Sequence, residues 1–242
     1  MRAKWGSWAV LAALALCLAV PFWYVWPRSG EAEACFSLRR TGQTLVIDAG
    51  HGGEDGGAVA ADGTVESGIN LAIARRLDLL LGLYGDAPVL LREEDISLHD
   101  PSATTLREKK RSDLQNRVAM VEAVEGATLL SIHQNSYPDS RYHGAQVFYA
   151  GEISLPLAEH TQELLRAGLD PENTRAAKPI PDTVYLMNHV SCPAVLVECG
   201  FLSNPEEAGR LRTEGYQTKI AAVLAAAWLT GDSVDTKENP SL

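Results

Sequence analysis

Cysteine is scarce in this sequence, with four residues in a chain of 242. None of the four belongs to a Cys-x-x-Cys pair, which excludes the common motifs for a structural zinc site and for a redox centre. Cys192 and Cys199 flank an apolar run that, as an extended strand, would hold their Cα atoms about 23 Å apart. Because a disulfide needs a far shorter distance, we expect no bond between these two residues.

Basic residues are fewer than acidic ones, with 21 Lys and Arg against 31 Asp and Glu, so the formal net charge is −10. Nucleic acids are bound by clustered Lys and Arg, and this balance therefore argues against a nucleic-acid partner. The nearest candidate cluster is REKKR at residues 107–111. A charge run of this length is more typical of a solvated helix start.

A long apolar stretch occurs near the amino terminus, where residues 8–26 run for nineteen positions without a charge. As a helix this stretch would be about 28 Å long, close to the thickness of a bilayer core. We predict that residues 1–35 form an export segment with a linker, and favour an uncleaved membrane anchor. Cleavage at Ala32-Glu33-Ala34 remains open, because this tripeptide fits the small-x-small pattern of signal peptidase sites.

The rest of the chain alternates between short β-rich runs and segments with helical periodicity. The strand candidates are TLVID (44–48), APVLLR (87–92), ATLLSIH (127–133), GAQVFY (144–149) and PAVLVE (193–198). The helix candidates cover residues 66–81, 112–124, 155–168 and 216–229. This alternation predicts one α/β domain at residues 36–231, with a mixed, mainly parallel sheet flanked by helices, and a flexible tail at 232–242. Only about ten residues separate 144–149 from its predecessor, so we predict that this strand pairs antiparallel with it.

Titratable residues stand at the carboxyl ends of several of these strands. His51 follows the first strand, His133 ends the third and Glu198 ends the last, while Glu66 begins a helix after the glycine-rich loop. In open α/β sheets the ligand crevice lies at this edge. Two imidazoles and one carboxylate can hold zinc with a position left for water, and a further carboxylate can act as general base.

Each of these residues also has a structural explanation. A loop histidine, a carboxylate favoured at a helix start, a hydrogen-bonded histidine at a strand end and a glutamate paired with an arginine are all ordinary features. The sequence contains no compact ligand motif such as His-Glu-x-x-His. The metal site is therefore predicted from the joint occurrence of the four residues.

The residues also carry a family resemblance. VIDAGHGGEDGGA, ESGINLAIARRL, SIHQNS and PAVLVECGFLSNPEEAGRL occur in this order and resemble the zinc-dependent N-acetylmuramoyl-L-alanine amidases of bacterial cell-wall turnover. The resemblance covers residues 44–230 and implies a phosphorylase/hydrolase-like amidase fold. It implies cleavage of the amide between muramic acid and L-alanine of peptidoglycan. It also implies that one zinc ion is bound by His51, Glu66 and His133, with Glu198 as the catalytic residue.

Three further expectations concern the surroundings of this site. The glycines of residues 50–57 let the chain turn sharply and bring His51 to the metal. Asp48 is expected to orient His51 by accepting its hydrogen bond. Asn135 is a candidate substrate contact, and capping of a loop is its alternative role.

The segments DPSATTLREKKRSDLQNRV and YPDSRYHGAQVFY resemble the spore-cortex, germination-specific subgroup of these amidases. This resemblance implies that the product feeds muramic δ-lactam formation. Together with the apolar stretch, it leads us to expect export, either to the outer face of the cytoplasmic membrane or into the wall space. We also expect an activating protein partner, with residues 102–124 as its docking surface.

Two other functions remain compatible with the sequence. A zinc carboxypeptidase would need an arginine that binds a terminal carboxylate, and Arg92 and Arg117 are candidates for that position. A catalytically weak wall-binding module that depends on a partner is the second alternative. The intact set of four polar residues argues against a silent module.

Overall fold

The structure, a computed structural model, describes residues 42–231. The predicted export segment and tail lie outside the described residues. Within that part of the chain, no helix combines the length and apolar character needed to cross a membrane. Cys192 and Cys199 are both free thiols, as their spacing predicted.

One six-stranded sheet forms the centre of the domain. Its strands are β1 (Thr44–Ala49), β2 (Val89–Leu90), β3 (Ala127–Asn135), β4 (Gln146–Ala150), β5 (Lys178–Pro179) and β6 (Ala194–Phe201). The helices are α1 (Glu66–Leu83), α2 (Leu106–Glu122), α3 (Leu155–Leu169), α4 (Tyr185–His189), α5 (Pro205–Leu211) and α6 (Glu214–Thr230). Across the sheet the strand order is β2-β1-β3-β6-β4-β5.

The sheet is mixed and mainly parallel, which confirms the predicted fold class. β1 pairs parallel with β2 and β3, β3 pairs parallel with β6, and β4 runs antiparallel to β6. The direction of β4 was predicted, but its predicted pairing with β3 is wrong because β6 lies between them. β4 still runs opposite to β3, because β6 is parallel to β3 and antiparallel to β4.

The two faces of the sheet are covered by different helices. On one face β1, β3 and β6 pack against α1, α3 and α6, with Ile73, Leu165 and Leu224 buried in the shared core. On the other face Val121 of α2 and Leu186 of α4 pack against the sheet. Strands buried on both faces are apolar at consecutive positions, which explains the runs seen in the sequence.

Several element boundaries differ from the prediction. Only residues 89–90 of the segment 87–92 form a strand. α2 begins six residues earlier than predicted because Thr105 and Glu108 form a capping box, and the REKKR run lies in its first turns as expected. Asn204 caps α5, a helix that the periodicity did not reveal.

Candidate active site

His51, Glu66 and His133 converge at the carboxyl edge of the sheet. One ligand atom from each lies within 4.8 Å of the other two. Oε1 of Glu66 is 3.4 Å from Nε2 of His51 and 3.0 Å from Nδ1 of His133. The two imidazole rings meet edge to face, with their centroids 5.0 Å apart. The fold thus brings together three residues, from the loop after β1, from α1 and from β3, that are far apart in sequence.

Glycines make room for these side chains. A Cβ atom at Gly50 would lie 2.2 Å from the His133 ring, and a Cβ atom at Gly57 would lie 2.5 Å from Oε2 of Glu66. His51 itself has a φ of 63°, the left-handed region that residues other than glycine seldom adopt. Strain of this kind is typical of functional loops. The glycine-rich loop is therefore required by the packing of the site.

The Glu66 carboxylate is fixed at the first position of α1 by three donors. Its Oε2 accepts from the Ala58 main-chain N–H at 2.8 Å, and its Oε1 accepts from the Gln134 N–H at 3.0 Å and from Asn70 Nδ2 at 3.2 Å. Asn70 Nδ2 also donates to the Gly50 carbonyl at 3.1 Å. Asn70 therefore ties the loop to the helix, a role that its place in the sequence did not suggest.

Glu66 and His133 shift each other's ionisation at this site. Burial opposes ionisation of Glu66, yet the hydrogen bond and charge of His133, together with the charge of His51, lower its pKa to about 2. Burial lowers the pKa of His133, but Glu66 and Glu198 outweigh it and raise that pKa overall. Glu66 therefore stays ionised at neutral pH.

The acidic partner of His51 is Asp55, so the prediction that Asp48 orients His51 is wrong. Oδ2 of Asp55 lies 3.1 Å from His51 Nδ1 and 3.3 Å from the ammonium of Lys110. The hydrogen bond with His51 is the largest cause of the lowered pKa of Asp55. The loop turns back on itself after His51, which places the side chain four residues onward against the imidazole.

Asp48 instead forms a buried ion pair with Arg117 and accepts a hydrogen bond from Ser131 Oγ at 2.6 Å. Burial alone would raise the pKa of Asp48, but Arg117 lowers it. Nη2 of Arg117 donates to the His51 carbonyl at 2.7 Å. Asp48 thus supports the His51 backbone through Arg117.

Neither arginine considered for a carboxypeptidase is free to bind a substrate carboxylate. Arg92 is buried and donates to the carbonyls of Ala49, Gly50 and Ser67 at 2.8 to 3.1 Å. Arg117 is 2 % exposed and is bound by carboxylates of the protein itself. Both guanidinium groups hold the backbone at His51 and just before it.

Glu198 lies directly opposite His133 in the parallel pairing of β3 with β6. Its Oε2 atom is buried and has no hydrogen-bond partner within residues 42–231. Burial raises the pKa of Glu198 to about 7, although His133 and His51 pull it down. A carboxyl group that titrates near neutrality can both accept and donate a proton.

Asn135 is half-buried at the end of β3, where its carbonyl accepts a hydrogen bond from the Leu202 N–H at 2.8 Å. Its role toward substrate stays a prediction. Beside the three converging residues, a cleft opens between α2 and α4, with Leu114 and Tyr185 in its walls. This cleft gives access to His51 and His133 from solvent.

Comparison with known proteins places the chain among cell-wall amidases. It matches the N-acetylmuramoyl-L-alanine amidase family over residues 45–229. It is 37 % identical over 189 residues to the germination-specific N-acetylmuramoyl-L-alanine amidase of Bacillus subtilis (strain 168), covering 77 % of this chain and 78 % of that protein. The uncharacterized protein YqiI of the same strain is 35 % identical over 224 residues, covering 91 % and 94 %.

Solved structures agree. The CwlD amidase from Clostridioides difficile, determined in complex with the GerS lipoprotein, shares 39 % identity with a TM-score of 0.74, covering 77 % of this chain and 96 % of that one. The region matched by the family contains all four candidate residues, from His51 to Glu198. The chain belongs to the N-acetylmuramoyl-L-alanine amidase family and is a hydrolase that acts on peptidoglycan.

Proposed function

We propose that the protein is a zinc-dependent amidase in which His51, Glu66 and His133 bind one zinc ion and Glu198 is the catalytic residue. The buried Oε2 of Glu198, without a partner in the described residues and opposite His133, carries the proposal. A buried carboxylate oxygen in this position is costly for the fold. Such a cost is expected where the group is needed for chemistry.

The donor set fits zinc. Two imidazole nitrogens and one carboxylate oxygen are the ligands found in open catalytic zinc sites. The space for them is provided by Gly50 and Gly57. Zinc-binding histidines usually donate their second nitrogen to a carboxylate, and Asp55 lies at that nitrogen of His51.

When bound, zinc supplies Lewis-acid chemistry, which acidifies water and stabilises negative charge on oxygen. Glu198 accepts the proton of the attacking water. It then donates this proton to the nitrogen of L-alanine as the bond to the lactyl carbonyl breaks, so that the amine departs in neutral form.

A metal-replacement experiment tests this proposal. The purified protein is treated with a chelator, assayed on purified peptidoglycan, and assayed again after addition of zinc, with products identified by mass spectrometry. We expect activity to be lost and then restored, with free N-acetylmuramic acid lactyl groups and peptides that begin with L-alanine. Full activity after complete metal removal would refute the zinc proposal.

We also propose that the enzyme acts in the spore cortex, where its product feeds muramic δ-lactam formation. The supporting observations are the names and similarity of the relatives, one of which is described as germination-specific. Muropeptide analysis of spores that lack the gene is the test. Unchanged muramic δ-lactam content would exclude this role.

The predicted location is outside the cytoplasmic membrane, with residues 8–26 as the anchor. The supporting observations are the uncharged stretch and a substrate that lies beyond this membrane. Fractionation of cells and sequencing of the mature amino terminus test it. A full-length cytoplasmic protein would contradict export, and a terminus near Cys35 would indicate cleavage.

We further propose that a protein partner stimulates the enzyme by binding residues 102–124. The related amidase from Clostridioides difficile was solved with a lipoprotein, which supports a partner of this class. Lys109 and Lys110 of α2 form ion pairs with Glu54 and Asp55 of the His51 loop. A partner bound to α2 would therefore affect the position of that loop. Rapid wall cleavage by the isolated protein, unchanged by extract from sporulating cells, would contradict the proposal.

A further inference from the structure

A second groove lies beside Glu198, on the side away from His51. The strand order explains its place, because β4 and β5 lie beyond β6 in the sheet while β1 lies on the opposite side. The groove is lined by Arg141, Tyr142, His143, Gln146, Arg175 and Lys178. Its charged lining also includes one acid, Glu172, so Arg141, Arg175 and Lys178 are in excess there in a protein of net charge −10.

Gln146 connects this groove to Glu198. The two residues are direct partners in the antiparallel pairing of β4 with β6, and His133 is the partner of Glu198 on the other side. Directly opposed residues point to the same face of a sheet, about 5 Å apart. His133, Glu198 and Gln146 thus form a row across three neighbouring strands.

The side chain of Gln146 holds Arg175 in place. Gln146 is 2 % exposed, its Nε2 donates to the Ala176 carbonyl, and its Oε1 accepts from Nη1 of Arg175 at 3.3 Å. Nε of Arg175 donates to the His143 carbonyl at 2.9 Å. The guanidinium carbon lies 4.7 Å from the centre of the Phe201 ring.

All these partners of Arg175 are neutral. By contrast, Arg141 pairs with Asp139 at 2.7 Å and His143 lies 3.6 Å from Asp170. Within the described part of the chain, the Nη2 group of Arg175 has no acceptor. The groove thus presents an oriented guanidinium with a free edge, as a site for a planar carboxylate requires.

We propose that Arg175 binds the free carboxylate of the stem-peptide residue that follows L-alanine. This inference rests on the proposed function, since it takes the scissile amide to lie at Glu198. Glu198 and Gln146 lie on neighbouring strands about 4.8 Å apart, and Arg175 contacts the Gln146 side chain. Each extended peptide residue advances about 3.3 Å, so a carboxylate one or two residues along the stem reaches the guanidinium. The enzyme is accordingly selective for acidic stems over amidated ones.

The test compares two disaccharide tripeptide substrates that differ only in the second residue, which carries a free α-carboxylate or an α-carboxamide. Wild type is expected to have a lower KM for the acid. Arg175→Gln raises the KM for the acid by about 10- to 100-fold, the effect of losing a hydrogen bond to a charged group, and leaves kcat and the KM for the amide within about twofold. Arg141→Gln, which removes a neighbouring charge, retains the preference.

The outcomes separate this inference from the proposed function. Failure of the wild-type protein to cleave either substrate would refute the proposed function. Cleavage of both with equal KM, or an unchanged KM in Arg175→Gln, would overturn the assignment of Arg175. Thermal unfolding verifies that the variant folds. If it does not, Arg175→Lys provides the test, because lysine lacks the planar fork, and an unchanged preference in that variant would overturn the inference.

Discussion

β3 and β6 have two ends of opposite character. On the face that α2 and α4 cover, the pairing of β3 with β6 begins with Leu129 beside Ala194, and both residues are fully buried. Four residues along the chain, the same face carries His133 beside Glu198. The apolar end packs a core, whereas the polar end includes a buried oxygen that no described residue satisfies. Stability and chemistry are therefore separated along the same two strands.

The largest effect is expected at the polar end. Glu198→Gln removes the proton acceptor and keeps the side-chain volume, so turnover should fall by at least about 10²-fold. Since the Oε2 atom has no partner to lose among the described residues, the melting temperature should not decrease. Wall hydrolysis and thermal unfolding measure the two effects. Comparable turnover in the variant would remove Glu198 from the catalytic role.

At the apolar end we expect the reverse. Leu129→Ala leaves a cavity in a fully buried position and should lower the free energy of unfolding by about 2 to 5 kcal/mol. The rate per folded molecule should remain near that of wild type, because the residue does not contact the site. Urea unfolding and activity at low temperature check this. An equal loss of activity would mean that the two ends are not separable.

A smaller effect tests how the loop supports the metal site. Asp55→Asn weakens the hydrogen bond to His51 Nδ1 and should reduce zinc affinity by about tenfold, the lower end of the usual range because Asp55 is partly exposed. Glu54→Gln is the matched control, since Glu54 pairs with Lys109 and not with His51. Competition with a zinc indicator measures the affinity. Equal zinc affinities in the two variants would show that Asp55 does not support zinc binding through His51.

The smallest effect concerns pH. Burial disfavours ionised Asp48, but Arg117 outweighs this and lowers its pKa below the ordinary value of 3.8. A lowered carboxyl pKa contributes stability that is present above the unfolded pKa and lost as pH falls through the folded one. The difference in unfolding free energy between wild type and Asp48→Asn should thus narrow from pH 7 to pH 3. A difference that stays constant would contradict the ion pair.

Much of this arrangement was readable from the sequence. The alternating periodicity predicted the α/β class, since strands covered on both faces must be apolar at consecutive positions. The site was predicted from the positions of His51, His133 and Glu198 at strand ends, because parallel strands place their carboxyl ends at one edge of the sheet. Two helix starts were also visible in principle, as Thr105 and Glu108 form a capping box and Asn204 precedes a proline.

The remaining features depend on the three-dimensional path of the chain. The partner of His51 is Asp55 because the loop folds back, which spacing cannot show. Asn70 and Gln146 act through side-chain directions that only the assembled sheet defines. Arg175 lies in an irregular loop, and its relation to Glu198 comes from the insertion of β6 beside β4. Strand order was the decisive information that local patterns lacked.

The central claim is that the polar end of β3, with the loop and α1, binds one zinc ion. The most direct measurement is the zinc content of the purified protein by elemental analysis, for wild type and for His51→Ala and His133→Ala. We expect close to one zinc per chain in wild type and loss of most of it in either variant, because two ligands are too few for a tight site. Full zinc retention in a folded His51→Ala or His133→Ala protein would contradict the claim.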